Sequence, residues 1–452
     1  MPVFHVIFAW TCQMLLFLLF LLFVAFLAYC LYIKHIHMKY DHIPGPPRDS
    51  FFLGQTATVL NYRKGGRNIH DLLLKWFLGN GLVTVWNHEQ WYKQRRIIDP
   101  AFSSLYLRGQ MDALNENAEK LMAKLSDLAE SKTNANMLQL VNAITLDVIA
   151  KVAFGVDLDL LKNSSPLPKA IELCLLGSIY NTQDVFFEFK PKNWPIVKEV
   201  REACRLLRAT GSKWISERRA AIQNGEDVPK DILTQIIKTA DKEETMTEED
   251  EEFMLDNFVT FFIAGQETTA NQIAFCIMEL ARHPDILEKV RKEVDDVIGM
   301  TRDLSYEDLG NLVYLTQVLK ETLRLYPTAT FTSREIPRDI IIDGVHIPAG
   351  VACVFSSYVP GRMEKFFKDP LKFDPDRFHS DAPKPYYCYY PFALGPRSCV
   401  GQNFAQMEAK VVMAKLLQRF DFTLIPGQTF DILDTGTLRP KSGVVCSVKH
   451  RK

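Results

Sequence analysis

Between Val3 and Ile33 there is no lysine, arginine, aspartate or glutamate. A run that long without a fixed charge is not the surface of a soluble helix, and about 20 apolar residues suffice to cross a bilayer. A basic excess is also missing: 53 Lys and Arg face 54 Asp and Glu, a formal charge of −1. No nucleic-acid partner is expected, because phosphate binding leaves a basic imbalance. No CxxC pair occurs among the nine cysteines, at 12, 30, 174, 204, 276, 353, 388, 399 and 446. An odd and scattered set argues against a disulfide framework or a zinc ribbon and fits a reducing compartment. Internal repeats and long low-complexity segments are absent as well.

What is present begins with size. At 452 residues, 47% hydrophobic and 24% charged, the chain can bury a large core. Lys34, Lys39 and Arg48 follow the apolar run, and nothing basic precedes it. That order reads as a retained transmembrane anchor over 3–33 with the body in the cytosol, not as a cleaved signal peptide with its positive leading end. The proline-rich stretch DHIPGPPRDS, 41–50, cannot continue a helix and reads as a stiff linker. Residues 51–452 form the body.

Apolar spacing of three and four predicts helices over 111–135, 137–155, 198–223, 250–282 and 284–298. The acidic run 241–252 reads as a solvated loop entering a helix, with Thr245 and Glu248 at capping-box spacing. Strand signals come late. DIIIDGVHIP, 339–348, is a hairpin with Asp343-Gly344 at its turn, followed by the strand VACVFSSYV. FDFTLIPGQTF and SGVVCSVKH suggest a second hairpin near the C-terminus. The fold class is mainly α with small β-sheets.

Four constellations carry chemistry. In PFALGPRSCVGQNF, Phe392, Gly395, Arg397, Cys399 and Gly401 recur at short spacing just before a helix. The glycines permit close backbone approach, and the helix N-terminus favours a thiolate at Cys399. Arg397 could pair with an anionic carboxylate. The alternative is a buried structural cysteine. In DNFVTFFIAGQETTAN, Ala264 and Thr268 share one helix face, and Gly265 costs roughly 1 kcal/mol against alanine, which asks for a close approach or a bulge. Thr268 and Glu267 could relay protons; the alternative is a threonine bonded to its own helix and a solvated glutamate.

KETLRLYP places Glu321 and Arg324 three apart, and FDPDRF offers Arg377 as a third member. Buried together they would form a structural lock; apart they are a surface ion pair. Finally, WYKQRR sets Trp91 and Arg95 on one face, suited to an anionic carboxylate or else a surface cation–π pair, and Arg334 is a further candidate.

These four motifs, in this order along residues 41–450, resemble the cytochrome P-450 family of haem-thiolate monooxygenases. The resemblance implies that Cys399 is the axial ligand of haem b, with Trp91, Arg95, Arg334 and Arg397 on the propionates and Phe392 and Gly401 in the cofactor loop. It assigns Thr268 and Glu267 to oxygen activation and Glu321, Arg324 and Arg377 to the core lock. Dioxygen would be the co-substrate, and NADPH-derived electrons would arrive through a cytochrome P-450 reductase. Lys93, Arg96, Lys410 and Arg419 would form its docking face. The anchor looks like that of microsomal members, which implies a single pass through the endoplasmic reticulum membrane with the catalytic domain in the cytosol.

Within the family, DNFVTFFIAGQETTAN, QVLKETLRLYP and RSCVGQNFAQMEAKVVMAKLLQRF look closest to cholesterol 24-hydroxylases, so a sterol hydroxylated on its side chain is expected. A fatty-acid hydroxylase of the same fold and a haem-binding form without activity are the alternatives. A peroxide-rearranging isomerase has no need of Thr268 and Glu267. One departure stands out: after a first body helix near 67–78, only FLGN separates Trp76 from Gly81, where the family carries a strand hairpin, a helix and a further strand. Those elements cannot fit in that length. Part of the N-terminal sheet is expected to be missing, through splicing or an incomplete gene model, leaving the strands after Pro327 without their partners.

Overall fold

The computed structural model describes residues 2–40, 78–85, 87–184, 187–241 and 248–451. The linker at 41–50 and nearly all of the helix expected near 67–78 lie outside the described residues. In chain order the long helices are α1 (Pro2–Tyr40), α2 (His88–Ile98), α3 (Met111–Glu130), α4 (Met137–Phe154), α5 (Leu167–Gln183), α6 (Trp194–Gln223), α7 (Ile232–Asp241), α8 (Glu248–Arg282), α9 (Pro284–Ile298), α10 (Val313–Leu325) and α11 (Gln402–Arg419). The strands are β1 (Ala135–Asn136), β2 (Phe331–Glu335), β3 (Ile340–Ile342), β4 (Val345–Ile347), β5 (Ala352–Ser356), β6 (Phe420–Leu424), β7 (Ile432–Asp434), β8 (Leu438–Pro440) and β9 (Val445–His450). The mainly helical reading with small sheets is what is observed.

The chain divides into two units, 1–67 with 333–355 and 68–332 with 356–452. In the smaller unit α1 is a continuous apolar helix, seven residues longer at its C-terminal end than the expected 3–33. Its 333–355 segment holds the predicted hairpin. Ile340 pairs with Ile347 and Ile342 with Val345. The turn residues Asp343 (φ 49°) and Gly344 (φ 79°) both take the left-handed conformation that this two-residue turn demands. β2 and β5 pair only with each other among the described residues. Ile341 and Ile342 of the β3–β4 hairpin and Val354 and Phe355 of β5 are exposed, so neither two-stranded sheet buries all of its large apolar side chains.

The larger unit is built around α8. Phe258, Phe262, Ala270, Ile273, Ala274, Phe275, Cys276 and Ile277 on this helix are buried. Polar side chains are buried on it as well, Asp256, Asn257, Gln266, Glu267 and Asn271 among them, so it is covered on most sides without being apolar on all of them. α4 packs along it, and Gly265 explains how closely: a Cβ there would lie 2.8 Å from Cδ1 and Cγ1 of Ile149. α8 runs unbroken through Gly265. The expected bulge is therefore corrected, and helix-on-helix contact with Ile149 is itself a reason for the absence of a side chain at this position.

At the C-terminus, β6 and β9 pair antiparallel from Phe420–His450 to Leu424–Cys446, and β1 adds to β9. The expected second hairpin is thus a real pairing of distant strands, with the β7–β8 hairpin inserted between them.

Candidate functional site

The loop before α11 is shaped by its own backbone. Cys399 N donates to Phe392 O at 2.9 Å, closing a turn in which Ala393 (φ 58°) and Gly395 (φ 75°) are left-handed. Gly395 suits that conformation; Ala393 is held in it by the closed turn. Cys399 lies three residues before Gln402, the first residue of α11, and the Gly401 amide donates to its sulfur. Burial pushes the Cys399 thiol up from its ordinary range, while the Gly401 amide and the Arg95 charge pull it down. Yet the residue is exposed. The thiol is thus surrounded by protein without being covered by it, which leaves the sulfur open to a ligand.

The same signature appears on α8. Ala264 is exposed, whereas its neighbours Phe262, Ile263, Gln266 and Glu267 are buried. Phe102 joins the two places: its ring is 5.7 Å from that of Phe261, and its edge is 3.8 Å from where a Gly401 Cβ would stand. That same Cβ would stand 3.9 Å from the Cys399 sulfur, with ordinary room around it. Gly401 (φ −84°) is therefore not required by backbone strain or by protein crowding. What it keeps open is space beside the sulfur, as a flat prosthetic group held by that sulfur would need.

Thr268 donates its hydroxyl to Ala264 O at 2.8 Å. Glu267 is buried, not solvated, and its Oε2 accepts from Asn271 Nδ2 (3.1 Å) and Thr437 Oγ1 (3.0 Å). Adjacent in sequence, the two candidates point to different neighbours.

On the other side of the cysteine loop, Trp91 is buried, and the cation over its ring is Arg397, at 4.5 Å. The alternative reading of Trp91 and Arg95 as a surface cation–π pair is not what is found. Arg397 Nη1 donates to Val85 O (2.8 Å). Arg95 Nη1 donates to Ser398 O (2.8 Å), and its Nε pairs with Asp99 (2.5 Å). Trp91, Arg95, Arg397 and Cys399 thus converge from two elements. Arg334 belongs to the smaller unit, where it donates to Ser333 O at 2.7 Å.

The lock is present. Arg324 Nε and Nη2 reach the two carboxylate oxygens of Glu321 at 2.7 and 2.8 Å, with both side chains at 0% exposure. Arg377 Nε adds a contact at 3.3 Å, and Asp374 N donates to the same carboxylate at 2.8 Å. Burial raises the Glu321 carboxyl, and Arg324 opposes that shift.

Two members of the expected docking face are committed inside the protein. Lys410 Nζ donates to Leu309 O (2.7 Å), and burial lowers its ammonium below the usual lysine range. Arg419 makes two bonds to Glu119, at 2.6 and 2.7 Å. Lys93 and Arg96 remain exposed.

A polar network escaped the sequence reading. Asn257 on α8 donates to Gln94 Oε1 and accepts from Leu82 N, both at 2.8 Å, while Gln94 Nε2 donates to Asn80 O at 2.9 Å. Asp256 accepts from Asn80 N (2.7 Å) and from Arg208 (2.6 Å). These bonds weld residues 78–85 and α2 to the central helix. The only hint was a pair of polar residues, Asp256 and Asn257, opening an apolar run.

Comparison with known proteins places these features in context. A family model described as cytochrome P450 matches residues 60–447. Cytochrome P450 4d2 of Drosophila melanogaster is 29% identical over 85% of this chain and 80% of its own length. Human cytochrome P450 3A7 is 31% identical over 75% and 69%, respectively. The 11-oxo-beta-amyrin 30-oxidase of Glycyrrhiza uralensis is 30% identical over 81% and 72%.

Proposed function

The chain belongs to the cytochrome P450 family of haem monooxygenases, and we propose that this member hydroxylates a sterol, most specifically the side chain of cholesterol at carbon 24. The observation that carries the reading of the site is Cys399, a thiol both desolvated and uncovered at the mouth of α11. When bound, the haem supplies the dioxygen activation and one-electron chemistry that side chains lack.

The chain's own residues do the rest. Cys399 is the iron ligand, and the Gly401 amide with the Arg95 charge stabilises its negative sulfur. Arg397, braced on Trp91, and Arg95 lie around the cysteine loop and would hold the propionates; Arg334, in the smaller unit, is a candidate by family resemblance alone. Thr268 directs its hydroxyl proton to Ala264 O, which leaves the Oγ1 lone pairs free to accept a hydrogen bond and so to orient a proton donor beside the oxygen site. Glu267 is the acid assigned to supply protons, and because its carboxylate accepts from Asn271 and Thr437 rather than from Thr268, it would do so by leaving those partners or through intervening water. Electrons come from NADPH through a reductase at the endoplasmic reticulum membrane, where α1 anchors the chain.

Sterol specificity rests on the likeness of DNFVTFFIAGQETTAN and the α11 run to cholesterol 24-hydroxylases. The short FLGN connection is the feature that sets this chain apart, and we read it as a shortened form of the enzyme.

The test is the carbon-monoxide difference spectrum of the reduced full-length protein, with and without cholesterol. A thiolate-ligated ferrous signature is expected in the parent and none in Cys399→Ala; a histidine-like signature in the parent contradicts the ligand. Turnover with reductase and NADPH then separates side-chain hydroxylation of cholesterol from fatty-acid oxidation or from no product at all.

A further inference from the structure

Cys174 on α5 and Cys204 on α6 face each other with their sulfurs 3.3 Å apart. The contact is built by the helices and is not a chance meeting of two mobile side chains. α5 and α6 run antiparallel through the short connection 184–193. One turn beyond Cys174, Gly177 lies against Val200: a Cβ at Gly177 would stand 2.5 Å from Val200 Cγ1. Only the missing side chain lets the backbones come so close, and that closeness carries the next pair inward, Cys174 and Cys204, into thiol contact. Cys174 is buried and Cys204 half-buried, so one sulfur is sheltered and the other can be reached.

We propose that Cys174 and Cys204 are a peroxide-responsive pair that closes reversibly into a disulfide and staples α5 to α6. A disulfide bond is about 2.05 Å long, so the sulfurs must approach by only about 1.3 Å. The pair is asymmetric in the direction the chemistry requires. The sulfur–sulfur contact, in which either thiol can donate, and burial push the Cys174 thiol up, while the Arg208 charge favours the thiolate at the less buried Cys204. Cys204 is therefore the nucleophile and Cys174 the resolving thiol.

The steps balance. The Cys204 thiolate attacks one oxygen of hydrogen peroxide and the O–O bond breaks, giving a sulfenic acid and a hydroxide that is protonated to water. The Cys174 sulfur then attacks the sulfenic sulfur. The S–O bond breaks, and the hydroxide leaves with the Cys174 proton as a second water. Two thiols lose two electrons in all, and one peroxide gains them. The consequence for the molecule follows from where α6 lies: Arg208 bonds Asp256 on α8, and Gly211 sits against Leu255 and Phe258 of that helix. A staple on α6 limits its sliding relative to α5 at the flank of the central helix.

The experiment treats the purified full-length holoenzyme with a small excess of hydrogen peroxide, blocks the remaining thiols by alkylation, and maps peptides without reduction. The expected result is one linked peptide pair containing residues 174 and 204, lost on treatment with dithiothreitol and absent from both Cys174→Ser and Cys204→Ser. In Cys174→Ser, Cys204 should stop at the sulfenic acid and be labelled by dimedone, several-fold above the parent. Full alkylation of both cysteines after peroxide, or linkage of either one to a different cysteine, overturns the proposal. The mapping on the parent protein decides this even if a serine variant folds poorly.

Discussion

Glu321 is the residue whose loss should be felt most widely. Its carboxylate lies at 0% exposure and serves Arg324, Arg377 and the Asp374 amide together. Replacing it with glutamine leaves the Arg324 guanidinium buried beside a neutral amide, and breaking one side of a buried pair costs about 3–5 kcal/mol. Thermal unfolding followed by circular dichroism should show Glu321→Gln far less stable than the parent, while exchanging Glu321 and Arg324 together for leucine and methionine should cost less than the single change. Glu408 poses the opposite case. It is buried in α11, neither carboxyl oxygen has a hydrogen-bond partner among the described residues, and desolvation raises its carboxyl well above the usual range. A carboxyl raised in the folded state stays protonated there while the unfolded chain has already ionised. Stability is therefore intact below the unfolded value, near pH 4, and declines as pH climbs toward the folded one. Glu408→Gln removes that dependence: its midpoint should exceed the parent's increasingly from pH 5 to pH 8, and parallel curves would show that Glu408 is ionised in the fold.

At the scale of elements, Gly265 shows where a sequence stops speaking. The run IAGQETT marks a helix whose glycine needs a reason, but the reason is Ile149 on α4, whose contact no local pattern announces. Gly265→Ala should push α4 from α8 and lower the melting temperature; restoring space with Ile149→Val should recover part of the loss, and independence of the two changes would refute the contact. The lock at Glu321 was legible because an i,i+3 pair is local and its third member, Arg377, lies in a motif of its own. Cys399 was legible because the loop's glycine and the following helix are adjacent in the chain. The basic face was misread at Lys410 and Arg419 because their partners, Leu309 and Glu119, come from remote segments. The Asp256–Asn257 weld stayed hidden for the same physical reason: hydrogen bonds across elements depend on packing, and packing leaves no periodic trace.

For the whole molecule the open quantity is how it meets a membrane. α1 and α4 are both long and apolar enough to cross one, but they differ in what surrounds them. α4 has Val141, Ile144, Leu146, Val148, Ile149 and Val152 buried among other helices, so the hydrophobic effect already accounts for its composition. α1 has no such cover: Leu15, Leu16, Phe17, Phe20, Leu22 and Phe23 all stand exposed. The stretch Gln13–Lys39 is 27 residues long, which at 1.5 Å per residue reaches about 40 Å, against a hydrocarbon core of about 30 Å. In a helix of that length crossing a bilayer, the excess would put Lys34 and Lys39 at the interface, where lysine stems can reach the headgroups. Alkaline carbonate strips proteins held by charge or by partners and spares those that span the bilayer. The full chain should stay in the pellet after such a wash, and a chain beginning at Asp41 should move to the supernatant. Release of the full chain would refute the span. Retention of the shortened one would shift the membrane contact to the exposed strands bearing Ile341, Ile342, Val354 and Phe355, the other large apolar side chains that the smaller unit leaves uncovered among its described residues.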